Sequence, residues 1–303
     1  MQAGIVGLGR MGAGMARRLA RAGVQVVCYD PKPAAREALA EERNVHPVES
    51  LAALCARLDG ERILLLMLPA GAAVEEAIRD LLPLVSAGDT LVDGGNSYYR
   101  DSMRRALALS QQGLRYIDAG VSGGIHGLEH GFCLMLGGTP KTIEIFEPFA
   151  RILAPSPDAG WLHCGPSGAG HFAKMVHNGV EYGIMQALAE GFALLAARRD
   201  LDIDPARVAE TWRHGSVVRS WLLDLCAAIL KDNESLEGVA PVIDDSGAGR
   251  WTATEAIELG VPAPVITTAL LARFSSQGRS DHARKLIALM RAGFGGHAVH
   301  RKA

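Results

Sequence analysis

A lysine and a glutamate seven residues apart, Lys174 and Glu181, stand in the segment of this 303-residue chain that best suits proton transfer. The segment is His171-Phe172-Ala173-Lys174-Met175-Val176-His177-Asn178-Gly179-Val180-Glu181-Tyr182. Wound as a helix at about 100° per residue, it gathers Lys174, His177, Asn178, Glu181 and Tyr182 within an arc of about 140°. The other positions, from Phe172 and Met175 to Val180 and Ile184, are nearly all apolar or small. An ordinary surface helix has the reverse layout, a broad polar face beside a narrower apolar stripe. A mostly buried helix with one polar stripe must turn it toward partners or a wet cleft, because unpaired buried polar groups are costly. Taken alone, the stripe also fits a solvated surface, since Lys174, His177 and Asn178 have the spacing of ordinary helix neighbours. Gly179 and Gly183 argue against that, because each costs about 1 kcal/mol in a helix interior and points to close packing on its side. An amine and a carboxylic acid sharing a cleft form a base and acid pair.

A second chemical feature lies at the start of the chain. Gly7-Leu8-Gly9-Arg10-Met11-Gly12 follows a short apolar strand and opens a helical pattern. In a GxGxxG loop the first glycine permits a tight turn, the second lets backbone approach a pyrophosphate, and the third allows close helix–strand packing. The anion then meets free N–H groups at the helix N-terminus. The next strand pattern ends at Asp30, close to the ~20-residue spacing at which an acidic side chain holds a ribose 2′-hydroxyl. The alternative is a glycine-rich turn in which Asp30 caps the next helix. With every part in register, the expectation is a nicotinamide dinucleotide. A carboxylate at Asp30 favours a free diol over a 2′-phosphate, so NAD is expected over NADP, with NADP still possible because Lys32 and Arg36 stand nearby.

These groups need a scaffold. The first half alternates short apolar runs with helical patterns, which predicts a parallel sheet covered by helices. Strands are expected at Ala3–Val6, Val24–Tyr29, Ile63–Met67, Thr90–Asp93 and Tyr116–Ala119, with helices such as Met11–Ala22 and Ala34–Glu42 between them. Several strands end in clusters: Gly7-Leu8-Gly9, Met67-Leu68-Pro69, Asp93-Gly94-Gly95-Asn96 and Gly120-Val121-Ser122-Gly123-Gly124. Ligands of open α/β sheets sit beyond such carboxyl ends. After Gly165-Pro166 no alternating strand pattern recurs. Helices are expected at His171–Arg199, Pro205–Arg213, Val218–Leu230, Thr252–Leu259, Pro264–Ser276 and His282–Met290. The fold class is therefore α/β, an N-terminal Rossmann-type doubly wound parallel sheet over residues 1–164, followed by an all-α substrate and oligomerisation domain over 165–303.

Composition narrows the partners. Hydrophobic residues make up 49%, yet charged residues interrupt every apolar run well short of the ~18 residues a membrane span needs. Lys plus Arg (31) nearly balances Asp plus Glu (33), which leaves no basic footprint for nucleic acid at the level of the whole chain. The five cysteines, Cys28, Cys55, Cys133, Cys164 and Cys226, are scattered and in no CxxC spacing. That suits reduced thiols in a cytoplasmic protein. The chain opens on a strand-like segment without a basic leader, so export is not expected. His126, Glu129 and His130 are expected to be polar loop residues, and no metal is expected.

The helix Lys174-Met175-Val176-His177-Asn178-Gly179-Val180-Glu181-Tyr182, preceded by Gly168-Ala169-Gly170-His171-Phe172, resembles the signature of the decarboxylating 6-phosphogluconate dehydrogenases, here in a short form. Asp93-Gly94-Gly95-Asn96-Ser97 resembles that family's loop under the nicotinamide, and Gly120-Val121-Ser122-Gly123-Gly124 its substrate-carboxylate loop. Arg219-Ser220 and the tail Arg291-Ala292-Gly293-Phe294-Gly295-Gly296-His297 resemble its phosphate-binding parts. The wider β-hydroxyacid dehydrogenase group shares the glycine-rich loops and a catalytic Lys followed by Asn. His177 with Glu181-Tyr182 separates this chain from that group.

The resemblance implies oxidative decarboxylation of 6-phosphogluconate to ribulose 5-phosphate and CO2, a step of the pentose phosphate pathway. Lys174 would take the C3 hydroxyl proton as hydride leaves for the nicotinamide, and then polarise the new ketone. Glu181 would protonate C1 of the enediol. Gly7, Leu8, Gly9, Arg10, Met11, Gly12, Asp30, Met67, Leu68, Pro69 and Asn96 would hold the dinucleotide. Asn96, Ser122, Gly123, Gly124, His177 and Asn178 would hold the sugar acid, with Tyr182, Arg219, Arg291 and His297 on the phosphate. A homodimer or homotetramer is implied, and Arg291 and His297 would act in their own subunit or a partner's. One departure concerns Asp244-Asp245-Ser246-Gly247-Ala248-Gly249-Arg250-Trp251-Thr252. Longer members carry a phosphate-binding Lys and Thr where Ser246 and Ala248 stand, so either weaker phosphate affinity or support from elsewhere, such as Arg250, is expected. Two alternatives stay open: a non-decarboxylating 3-hydroxyacid dehydrogenase, and a non-catalytic dinucleotide-binding sensor.

Overall fold

The computed structural model describes residues 1–232, 236–295 and 298–300. The chain divides into two compact units, Met1–Val176 and His177–Ala303. In the first, eight strands form one sheet: β1 (Gln2–Val6), β2 (Gln25–Tyr29), β3 (Val45–Pro47), β4 (Ile63–Leu66), β5 (Thr90–Asp93), β6 (Arg115–Ser122), β7 (Cys133–Gly137) and β8 (Trp161–Gly165). Their order is β3-β2-β1-β4-β5-β6-β7-β8. From β1 the chain moves outward through β2 and β3, then returns to β4 on the other side. The crevice beyond β1 and β4 is therefore the switch point at which such sheets bind ligands.

Both faces of the sheet are covered, which explains why its strands read as continuous apolar runs. Ala3 and Ile5 pack on one face with Met15 and Leu19 of the helix Arg10–Arg21. Val6 packs on the other with Leu64, Leu66 and Val74. Alternate residues of one strand thus feed two separate cores.

The sheet is not wholly parallel. β6 and β7 run antiparallel, and β8 is parallel to β7. The link from Gly123 to Phe132 is shorter than the dozen or more residues a parallel crossover needs, so the chain has to turn straight back. β3, β7 and β8 escape the sequence pattern. β3 is three residues long, and β8 is half-exposed and carries His163 and Cys164. The helix expected at Ala34–Glu42 forms over Pro33–Glu37 only, and Asn44, at φ 64°, turns the chain into β3.

The helix Ala169–Ala197 begins in the first unit, and its later turns belong to the second. The division at Val176 falls after the sequence boundary near Cys164 because the helix start is built into the sheet. Gly170 packs against main-chain oxygens of Asp118 and Met135. In the second unit follow helices Pro205–Trp212, Trp221–Asp232, Ala248–Glu258, Pro264–Ser276 and Asp281–Gly295, with no strand among the described residues. They enclose two small cores, one around Tyr182, Ala253, Ala269 and Leu270, the other around Phe192, Ala209, Leu223 and Ala227. Among the described residues no helix is long and apolar enough to cross a membrane.

Candidate active site

The loop after β1 has the shape its glycines predict. Gly7 sits at φ +94°, and a Cβ on Gly12 would strike the Gly7 carbonyl oxygen, so only glycine lets the helix start this close to the strand. The helix Arg10–Arg21 has no side-chain cap and no acidic residue in its first turn. Its leading N–H groups and positive dipole end are thus available to an anion. Asp30 closes the loop: the Leu8 N–H donates to Oδ2 at 2.8 Å and the Lys32 N–H to Oδ1 at 2.9 Å. A carboxylate has about four lone-pair sites, so acceptor capacity remains. Arg36 turns its guanidinium onto the carbonyls of Asp30 and Pro31 at 2.7 and 3.4 Å. Met67 extends β4 by donating its N–H to the Val6 carbonyl at 2.8 Å. The Met67-Leu68 segment abuts Gly7, Gly94 and Gly95, so the three strand ends are packed as one surface.

Asn96 is placed differently from a simple ligand contact. It adopts φ 52°, and its side-chain amide pairs with the backbone of Val121: Nδ2 donates to the carbonyl at 3.2 Å and Oδ1 accepts the N–H at 2.8 Å. This clamp ties the loop after β5 to the end of β6, where Ser122, Gly123 and Gly124 follow. It leaves one N–H and one lone pair of the amide for a ligand.

Beneath that loop lies a buried network outside the sequence reading. Asp93 is fully buried. Its Oδ1 accepts the Gly95 N–H at 3.0 Å. Its Oδ2 accepts from Ser97 Oγ at 2.8 Å, Arg105 Nη1 at 2.9 Å and the Tyr116 hydroxyl at 3.0 Å. Arg105, 2% exposed, also donates two bonds to Glu75. Burial alone would lower the Arg105 pKa, but Asp93, Tyr116 and Glu75 outweigh it and raise it. Burial raises the Tyr116 hydroxyl well above its usual range, and the Asp93 charge adds to that. Neighbouring Arg104 has the same side chain and is exposed. Nothing local in the sequence distinguishes the pair.

Lys174 is 6% exposed, and its Cβ packs so closely on Gly120 that no side chain fits at that position of β6. The polar stripe is real, but the rest of the helix is not all buried. Val176, Val180 and Ile184 are 36%, 46% and 41% exposed. The expected close packing of the two glycines is present, Gly179 against Thr252 and Gly183 against Val265. Glu181, two turns after Lys174, is offset by about 20° and about 10 Å along the helix axis. In the second unit His177 Nδ1 lies 3.1 Å from Asn178 Oδ1 and 3.8 Å from a Glu181 oxygen, with His177 and Glu181 side chains 40% and 38% exposed.

Tyr182 is buried, with its hydroxyl 3.4 Å from both Asp245 Oδ1 and Ser246 Oγ. The Arg273 guanidinium lies 3.5 Å from the centre of the Tyr182 ring, and Nη1 donates to the Asp244 carbonyl at 2.8 Å. The sequence reading did not single out Arg273. Its only local signal is that it is the one charged residue on the helix Pro264–Ser276. Arg250 is committed to Asp245 and also lies over the Phe274 ring. Burial would raise the Asp245 carboxyl, but the Gly247 N–H, Arg250 and Tyr182 together hold it below its usual value. Arg273 has no carboxylate partner among the described residues, so of the two it has the uncompensated charge. Ser246 and Gly247 lead directly into the helix Ala248–Glu258, which starts earlier than the expected Thr252. Arg219 is exposed just before the helix Trp221–Asp232, and Arg291 is exposed on the helix Asp281–Gly295. Neither is brought to the Tyr182 group by a described contact. His297 lies outside the described residues. The segment expected as a loop is helical instead, a 3-10 turn Gly124–His126 followed by a short helix Gly127–His130, in which Glu129 accepts from Arg21 at 3.1 Å.

A family profile described as the NAD binding domain of 6-phosphogluconate dehydrogenase matches residues 2–158, and one described as the 6-phosphogluconate dehydrogenase C-terminal domain matches residues 170–302. The chain is 44% identical to the NAD(+)-dependent, decarboxylating 6-phosphogluconate dehydrogenase of Haloferax volcanii, over all of this chain and 99% of that protein. It is 35% identical to the NADP(+)-dependent, decarboxylating enzyme of Bacillus subtilis, over 93% of this chain and 63% of that one. Among solved structures, the 6-phosphogluconate dehydrogenase of Plasmodium falciparum, studied in apo form and with NADP+ or 6-phosphogluconate, superposes with TM-score 0.85 at 26% identity. That match covers all of this chain and 66% of the longer one. A dinucleotide loop, a buried lysine at the end of β6 and profile matches over both units agree: the chain belongs to the 6-phosphogluconate dehydrogenase family, within the β-hydroxyacid dehydrogenases.

Proposed function

We propose that the protein oxidatively decarboxylates 6-phosphogluconate to ribulose 5-phosphate and CO2, with NAD as the preferred cofactor, and does so as a homo-oligomer in a reducing, cytoplasmic setting. The observation that carries the reading is the buried Lys174 seated on Gly120, on a helix that carries Glu181 two turns later. A lysine amine can take and return a proton at a substrate oxygen, the role of a general base.

The bound dinucleotide supplies a hydride acceptor. The residues present suit it: Gly7 and Gly12 leave the room, the open helix start offers N–H donors, and Asp30 keeps acceptor capacity for a ribose diol. Leu8, Gly9, Arg10 and Met11 complete the loop, and Met67, Leu68 and Pro69 line its flank. Lys174 takes the proton from the C3 hydroxyl, then returns it to the C3 oxygen as the carboxyl group departs. Glu181, as the acid, protonates C1 of the enediol, while Lys174 takes the proton back from the neighbouring hydroxyl as the ketone forms. Ser122, Gly123, Gly124, His177 and Asn178 orient the sugar acid, and Asn96, clamped to Val121, fixes the end of β6. Tyr182 and Arg273 take the phosphate at the start of the helix Ala248–Glu258, with Arg219, Arg291 and His297 as further cations. The exposed ridge Val176, Val180 and Ile184 supports contact with a second copy of this chain.

The test is an assay of reduced nicotinamide and CO2 from 6-phosphogluconate with each cofactor. Equimolar CO2 and reduced cofactor are expected. Reduced cofactor without CO2 would mean a non-decarboxylating dehydrogenase, and no turnover would mean a sensor. Because Arg36 is engaged by main-chain carbonyls and Asp30 keeps acceptor capacity for a diol, kcat/KM is expected to favour NAD over NADP. A ratio tenfold or more in favour of NADP defeats that part.

Arg273→Ala is expected to raise KM for 6-phosphogluconate by about 10- to 100-fold, the worth of one or two hydrogen bonds to a charged group. KM for the unphosphorylated sugar acid should change little. Equal effects on both substrates would remove Arg273 from the phosphate site, and the same comparison on Arg219→Ala decides whether that residue shares it.

A further inference from the structure

The start of the Lys174 helix is held by a carboxylate from another element. Asp118, in the middle of β6, is fully buried. Its Oδ1 accepts the Gly168 N–H at 2.7 Å and its Oδ2 accepts the His171 N–H at 2.9 Å. A helix beginning at Ala169 leaves such leading N–H groups without an intrahelical acceptor. The side chain just before a helix ordinarily supplies the cap. Here that residue is Gly168, which has none, and the acceptor comes from a strand 50 residues earlier.

A second buried contact fixes the same turn. His171, 1% exposed, has Nδ1 2.7 Å from Ser102 Oγ, and Ser102 reaches the Tyr98 carbonyl at 3.4 Å. The tautomer with Nδ1–H donating to Ser102, whose hydroxyl donates onward to Tyr98, satisfies both contacts. Burial raises the Asp118 carboxyl, with His171 and the two N–H groups pulling the other way. Charged or neutral, it offers an acceptor to each N–H.

Asp118 and Gly120 are two apart on β6 and so point to the same face. On the helix, His171 and Lys174 are three apart and so also share a face. The strand thus grips the helix at Asp118 and receives Lys174 at Gly120, about one helical turn further along.

We propose that Asp118 is a positioning residue for the reaction: by capping the helix from β6 it sets where Lys174 stands relative to the Gly120–Gly124 loop. The proposal rests on the reading of Lys174 as the base. In the full-length protein, Asp118→Asn keeps one good acceptor and Asp118→Ala none. A displacement of about 1 Å at a catalytic group can cost on the order of 100-fold. We expect kcat with 6-phosphogluconate to fall about tenfold in Asp118→Asn and about 100-fold in Asp118→Ala, with KM for NAD+ within about twofold. Amide hydrogen exchange should quicken over 168–173 and stay unchanged in the helix Arg10–Arg21.

Two results overturn the proposal: kcat within twofold of the parent in Asp118→Asn, or a loss of kcat matched by an equal rise in KM for NAD+. The first would mean the cap does not govern Lys174, and the second that Asp118 merely holds the sheet together. Should Asp118→Ala fail to fold, Asp118→Asn carries the comparison alone. Hydrogen exchange needs no substrate, so it still reports the anchor if the parent protein proves inactive on 6-phosphogluconate and the proposed reaction fails.

Discussion

Replacing Lys174 by methionine is expected to lower kcat for 6-phosphogluconate oxidation by about 10²- to 10⁴-fold, the usual contribution of a positioned general base. CO2 release should fall with it, because the same amine polarises the ketone that makes the carboxyl group leave. Methionine keeps the unbranched stem that packs on Gly120 and removes the amine, so the helix should stay in place. Melting temperature is therefore expected to change little, because the stem contact with Gly120 is kept. The pairing of a collapsed rate with an intact fold is the diagnostic result, measured by reduced-nicotinamide absorbance, CO2 release and a thermal melt. A near-normal kcat in Lys174→Met would remove the lysine from the chemistry. A low rate accompanied by unfolding would make the amine a structural group and not the base.

The second large effect concerns stability. Arg105→Ala leaves the Asp93 carboxylate fully buried with its cation removed, and breaking one partner out of a buried pair costs about 3–5 kcal/mol. For a chain of this size each kcal/mol lowers Tm by roughly 2–4 °C, so a drop of about 10 °C is expected. The Gly95, Ser97 and Tyr116 donors to Asp93 stay in place, which keeps the loss below that of a wholly unpaired ion. Asp93→Asn combined with Arg105→Met, neutral on both sides, should recover most of the loss, because the penalty lies in the stranded charge and not in the missing bond. A thermal melt of the two variants decides it. If the double variant is as unstable as Arg105→Ala, the network contributes through its shape instead. NAD+ affinity should fall in Arg105→Ala as well, because Asp93 holds the Gly95 turn that carries Asn96.

What was legible before the fold was known depended on how local its physics is. Gly7-Leu8-Gly9-Arg10-Met11-Gly12 could be read because a tight turn, a close strand–helix contact and a helix start all act within six consecutive residues. Asp30 followed from one strand length. The polar stripe from Lys174 to Tyr182 came from helical periodicity, which needs no partner. The helical second half followed likewise, because helices close their hydrogen bonds within the segment.

Tertiary structure decided the rest, wherever function depends on residues distant in the chain. Asp118 caps a helix from 50 residues away, and Asn96 pins Val121 from 25 residues away. Arg105 is buried beside an exposed Arg104, and Arg273 covers Tyr182 from another helix. No pattern in the sequence marks the partner of any of these. The antiparallel return of β7 was invisible for a related reason, since strand direction depends on the length of the link and on which neighbour is free. The dinucleotide loop, the lysine–glutamate helix and the order of the two kinds of unit are each written in contiguous stretches of residues and could be read from them. Only the folded chain decided which charges are buried and which loops are clamped, because burial and long-range hydrogen bonds arise from the packing of elements whose residues carry no local sign of it.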